Sequence, residues 1–98
     1  MYNVKNNIAI LSLFHLAFHN QGKNYLYVAN SRAHLREAFR LLTLACHSFK
    51  PTIRQKNYEV TLANGSTIRC ITKDETEKLQ GIGFNGIACD ELVRNAKD

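Results

Sequence analysis

The sequence has one proline and no tryptophan in 98 residues, and it shows no internal repeat, linker-like segment or low-complexity tract. With 45% apolar residues, that composition excludes a disordered chain and requires a packed core. Cysteine is scarce. Cys46, Cys70 and Cys89 are odd in number, far apart and flanked by apolar residues, and no CxxC pair is present. A zinc site is not expected from such spacing, and buried reduced thiols are. Long hydrophobic runs are missing too. The run Ile8–Phe18 is too short to span a bilayer and is broken by Ser12 and His15. It lacks a small-residue cleavage site, so the expectation is a cytoplasmic chain (the host cytoplasm if viral) with no membrane partner. The glycine-rich signature GxxxxGK[ST], which turns backbone N–H groups onto phosphates, is also absent.

A chain of 98 residues is one small domain, expected over 1–98. Folding buries only roughly 60–65% of the unfolded surface at this size, so the stability margin is thin. The formal net charge of +5 and pI near 9.3 permit a polyanion partner without requiring one.

In chain order, Asn6-Asn7 is expected to cap a helix running to about His19. Ile8, Ile10, Leu11, Leu13, Phe14, Leu16, Ala17 and Phe18 surround that helix almost completely, which predicts central burial. Gly22 is its expected terminator. Tyr25–Ala29 is a continuous apolar strand of the kind buried on both faces of a parallel sheet. Asn30 or Ser31 then caps a second helix. Its core face is Leu35, Ala38, Phe39, Leu42, Ala45 and Cys46, at spacings of three and four. Pro51 lies beyond that helix. Two alternating strands, Tyr58–Leu62 and Ser66–Ile71, flank Asn64-Gly65, a strong hairpin signal. Thr72–Leu79 is polar and suits a short helix, and Gly81, Gly83 and Gly86 lead into a last strand, Gly86–Cys89. The order helix, strand, helix, β-hairpin, strand makes the fold class α/β, with Tyr25–Ala29 and Gly86–Cys89 as parallel neighbours.

The chemistry-bearing stretch is Leu79–Asn95. Its apolar strand runs into two adjacent acids, Asp90-Glu91. In P-loop nucleotide hydrolases an acid ending an apolar strand holds the Mg²⁺ shell, and the acid after it polarises the attacking water. The ordinary alternative is an acid pair at a strand end. Arg32, Arg36 and Arg40 recur every four residues, with Lys50, Arg54 and Lys56 close by in sequence. They suit contacts to a phosphate backbone or simply a solvated helix face. His15 and His19 have metal-compatible spacing but no acid between them, and a structural role fits them better.

Three stretches in order carry a resemblance. They are Tyr25-Leu26-Tyr27-Val28-Ala29-Asn30-Ser31, then Leu62-Ala63-Asn64-Gly65-Ser66-Thr67-Ile68, then Leu79-Gln80-Gly81 leading to Gly86-Ile87-Ala88-Cys89-Asp90-Glu91. Together they resemble the ATPase core of viral terminase large subunits, the motors that package double-stranded DNA into phage heads. The resemblance covers about residues 20–95. It implies a partial P-loop-NTPase-like sheet, with Asp90 as the Mg²⁺-associated (Walker B) acid and Glu91 as the catalytic acid. Lys5 falls where the family's phosphate lysine sits. ATP and Mg²⁺ would be the cofactors, and double-stranded DNA a possible partner. The chain departs from the family pattern at Asn30-Ser31, where Pro-Thr is common, and at Gln80, where Arg is common. Val4 stands where a glycine of the phosphate loop is required.

The resemblance therefore implies a terminase-like ATPase-core fragment of a DNA-packaging motor, without ATP hydrolysis on its own. The alternative is a stand-alone phage or prophage interaction protein that inhibits, decoys or regulates a motor or host defence complex. In the resembled fold, strands absent here flank the acid-pair strand. Gly86–Cys89 is thus expected as an open sheet edge, available to a protein partner or to a second copy.

Overall fold

The computed structural model describes residues 4–79 and 81–89. The chain forms helix α1 (Val4–His19), strand β1 (Asn24–Ala29), helix α2 (Arg32–Cys46), and strands β2 (Thr52–Arg54), β3 (Glu59–Thr61), β4 (Thr67–Thr72) and β5 (Gly86–Cys89). The strands make one mixed sheet in the order β2-β3-β4-β1-β5. β1 pairs in parallel with β4 on one side and with β5 on the other, while β3 runs antiparallel to both its neighbours, β2 and β4. The α/β class, the hairpin and the parallel β1–β5 neighbours match the sequence expectation. Strand β2 does not. A three-residue Thr-Ile-Arg segment with every side chain exposed carries no periodicity to read.

Both helices pack on one face of the sheet. Tyr25, Tyr27 and Ala29 of β1, Val60 of β3, and Ile68 and Cys70 of β4 form a single core with the inner faces of α1 and α2. α1 contributes Ile10, Leu13 and Ala17, and α2 contributes Leu35, Ala38, Phe39, Leu42 and Cys46. Strand alternation sends Leu26, Val28 and Ile71 to the opposite face, where Leu79, Phe84 and Cys89 cover them in a smaller cluster. β1 is therefore buried on both sides from Tyr25 to Ala29, as its apolar run demands.

Three expectations are corrected. α1 begins at Val4, so Asn6 and Asn7 lie inside the helix rather than capping it. α1 is not central either. Ile8, Leu11, Leu16 and Phe18 are 41–57% exposed, because the helix touches the sheet and α2 on one side only. Ala45 of α2 is only half-buried, leaving the other five predicted core positions of that helix buried. Of the two cap candidates for α2, Ser31 is the one used: its Oγ accepts from the His34 N–H at 3.3 Å.

The turn Asn64-Gly65-Ser66 does more than reverse the chain. Leu62 N–H donates to Ser66 O at 2.8 Å, so three residues close the hairpin, with Gly65 at φ +88°. Asn64 Nδ2 donates to the α1 carbonyls of Ala17 at 2.8 Å and Phe18 at 3.1 Å, which otherwise end the helix unpaired. Ser66 is fully buried. Its Oγ donates to Asn20 O and accepts from Lys23 N–H at 3.0 Å. The hairpin tip thus latches the α1–β1 connection.

At the far edge, β5 pairs with β1 alone among the described strands, and Ile87 is 60% exposed. A Cβ on Gly86 would lie 2.8 Å from the ring of Tyr25, so β5 approaches β1 closely only because residue 86 has no side chain.

Candidate functional site

Parallel strands bring their carboxyl ends to one end of the sheet, where α/β folds ordinarily bind ligands. The register Ala29↔Thr72 and Val28↔Cys89 gathers the ends of β1, β4 and β5 there, beside the N-terminus of α2. Asp90 follows Cys89 in sequence. Asp90, Glu91 and Gln80 lie outside the described residues. Lys5 falls in the first turn of α1, with its side chain also outside them.

The acids the structure does describe at this end are Asp74 and Glu75. They sit in the first turn of a 3₁₀ helix, Lys73–Leu79. Glu75 Oε1 accepts from Thr72 N–H at 3.1 Å, and Thr72 Oγ1 reaches Asp74 Oδ1 at 2.5 Å and Glu75 Oε1 at 3.1 Å. The Thr72 hydroxyl holds the Asp74 carboxyl below its ordinary range, aided by backbone N–H bonding and by Arg32 and Lys73 nearby. Glu75 also pairs with Arg32 at 3.6 Å. These contacts tie the end of β4 to the turn that follows it, and they account for both carboxylates structurally.

The arginine stripe of α2 is present and solvent-facing, but its three members are not equivalent. Arg40 is clasped by Glu37 one turn earlier, at 3.2 and 2.5 Å, and Arg32 is paired to Glu75. Arg36 has no ion pair among the described residues. Exposed pairs of this kind contribute only about 0.2–1 kcal/mol to stability, so the stripe's significance lies in its field rather than in folding.

Two adjoining cavities lie beside this stripe. One, of about 350 Å³, is lined by Arg36, Phe39, Arg40, Thr43, Gln55 and Tyr58. The other, of about 180 Å³, is lined by residues that include Arg32, Lys56, Asn57, Tyr58, Arg69 and Glu75. Tyr58 is common to both and stands edge-on to Phe39, with ring centroids 5.3 Å apart. Its φ of +51° is the left-handed conformation that a non-glycine residue adopts at a cost.

Arg69 is the residue that sequence reasoning missed. It lies in β4 opposite Glu59 of β3, yet no ion pair joins them. Its Nε is buried and has no hydrogen-bond partner among the described residues. A buried donor on a charged group left without an acceptor costs about 1–3 kcal/mol or more. The only sequence signal was a charged residue alternating with Ile68 and Cys70, which reads as an ordinary solvent-facing strand position.

Among the described residues no group of three His, Cys, Asp or Glu side chains could hold a metal ion. His15 and His19 are exposed and lie against one another, with centroids 4.4 Å apart. Cys46 and Cys70 are buried free thiols and Cys89 is half-buried. Burial pushes the Cys70 thiol up to about 12, so it is inert as a nucleophile. No described helix is long and apolar enough to cross a membrane. Neither a family model, nor a curated relative, nor a solved structure matches the chain.

Proposed function

We propose that the chain is a terminase-like ATPase-core fragment that works by association and does not hydrolyse ATP on its own. The observation that carries this reading is the position of β5: parallel to β1, at the edge of the sheet, and leading directly into Asp90-Glu91 in sequence. That is the place the resemblance gives an acid-pair strand. The sequence contains no GxxxxGK[ST] to hold phosphates against those acids, and Lys5 belongs to the first turn of α1 rather than to a glycine-rich loop. In this reading ATP and Mg²⁺ are cofactors of the complete motor type, and the isolated chain binds neither productively.

An open edge strand offers unpaired N–H and C=O groups to an incoming strand. The expected result is therefore two-fold. ATP turnover by the chain stays at background and is indifferent to Glu91→Gln. Sedimentation shows association that Ile87→Lys, a charge placed on the edge strand, removes. ATP hydrolysis abolished by Glu91→Gln would overturn the non-catalytic reading, and a strictly monomeric chain at high concentration would overturn association with a second copy.

A second reading, a stand-alone interaction protein that regulates a motor or defence complex, is favoured by the outer face of α1. Ile8, Leu11, Ser12, His15 and Leu16 line an open, mainly apolar depression of about 530 Å³ on the helix that also contacts β5. Co-purification of a defined protein with the wild-type chain, lost on Leu11→Glu, supports this reading over the first.

A further inference from the structure

We propose that the smaller cavity, between the start of α2, the 3₁₀ turn Gln55–Asn57 and β4, binds a phosphate-type oxyanion held by Lys56 and Arg69, beside the Arg32–Glu75 pair. Each cation comes from a different element, so no single sequence periodicity assembles them. Three basic residues line the cavity against one carboxylate, Glu75, and because Glu75 pairs with Arg32 and accepts from Thr72, the charges of Lys56 and Arg69 are left in excess there. Glu59, the cross-strand neighbour of Arg69, forms no ion pair with it. Arg69 Nε is buried without an acceptor among the described residues, and Asn57 also lines the cavity. Guanidinium forks and an ammonium around a partly enclosed space are the donor set that tetrahedral oxyanions select.

Size narrows the ligand. About 180 Å³ is below the roughly 300–1,000 Å³ typical of whole small-molecule sites. It suits one phosphate group rather than a nucleotide. The adjoining cavity of about 350 Å³, sharing Tyr58 and flanked by Arg36 and Arg40, has room for the remainder of a larger phosphate-bearing molecule. The shared chemistry is the phosphate, whether from a nucleic-acid backbone or from a free phosphate compound.

The test titrates the full chain with inorganic phosphate by calorimetry, at constant ionic strength and against chloride. Saturable single-site binding is expected, weakened at least about tenfold by Arg69→Gln and by Lys56→Gln. Lys23→Gln, at the opposite end of the sheet, leaves it unchanged. Lys56 is exposed, so its substitution carries the test should Arg69→Gln not fold. A fluorescent single-stranded oligonucleotide distinguishes the sources. Binding competed by phosphate and weakened by the same substitutions identifies a nucleic-acid backbone. No oligonucleotide binding beside intact phosphate binding identifies a free phosphate compound. Absence of saturable phosphate binding, or binding indifferent to both substitutions, overturns the proposal. Ile87→Lys leaves phosphate binding intact, which separates failure of this site from failure of the β5 edge.

Discussion

α1 and α2 rest on the same face of one sheet, and their inward sides are chemically alike. Ile10, Leu13 and Ala17 of α1 meet the same core as Leu35, Ala38, Phe39, Leu42 and Cys46 of α2. Their outward sides are opposites. α2 presents Arg32, Arg36 and Arg40, whereas α1 presents Ile8, Leu11 and Leu16. The cause is position. α2 lies over β1 and β4, and no other described strand or helix lies beyond it, so one apolar stripe suffices. α1 lies over β1 and β5, and β5 ends the sheet among the described strands. An apolar outer face next to a strand that ends the sheet among the described residues fits the proposed association with protein, while the basic outer face of α2 borders the proposed phosphate site.

The largest expected effect tests whether the two inner faces are energetically equivalent. Leu42→Ala on α2 and Leu13→Ala on α1 each remove a buried side chain, and each should cost about 2–5 kcal/mol in urea unfolding followed by circular dichroism. A Leu13→Ala cost well below that range would show α1 to be loosely docked. Next comes the edge itself. Gly86→Ala drives a methyl into the Tyr25 ring and should cost about 1–3 kcal/mol by the same measurement, with β5 fraying first in amide exchange.

The outer faces should respond differently in kind. Converting Ile8, Leu11 and Leu16 together to Gln should move monomer stability little, each change staying within about 0.5 kcal/mol, yet should abolish co-purification of a protein partner in the second reading. Arg36→Gln should be equally silent in stability and leave sedimentation unchanged. The smallest effect concerns pH. The folded state lowers the Asp74 carboxyl below its ordinary 3.8, so it contributes stability that is present above that value. That contribution fades as pH falls through the depressed folded value. Thr72→Val removes the leading cause, and the acid limb of a stability–pH curve should flatten below pH 3.8 in that variant.

Much of the architecture was legible because local patterns agreed with it. The three-and-four spacing of Leu35, Ala38, Phe39 and Leu42, the unbroken run Tyr25–Ala29, and Asn64-Gly65 between alternating strands each have one cheap solution. What failed, failed for identifiable reasons. Apolar residues all round α1 look the same whether the helix is central or overhangs a sheet edge. Asn6 and Asn7 resemble caps, yet the helix starts before them at Val4. The stripe of three arginines could be counted, but Glu37 neutralises Arg40 and Glu75 draws off Arg32. The cation that completes a cavity, Arg69, stands alone in a strand.

The sequence by itself determined the α/β class, the identity of the buried strand, the amphipathic second helix and the acid pair's place after the last strand. Those follow from period, propensity and order, which are properties of neighbours along the chain. Only the tertiary structure decided that both helices share one face, that Asn64 and Ser66 latch the end of α1, and that Arg32, Lys56 and Arg69 meet around one cavity. These depend on residues tens of positions apart. Their contacts are set by sheet register and by which surfaces the small core has left to cover.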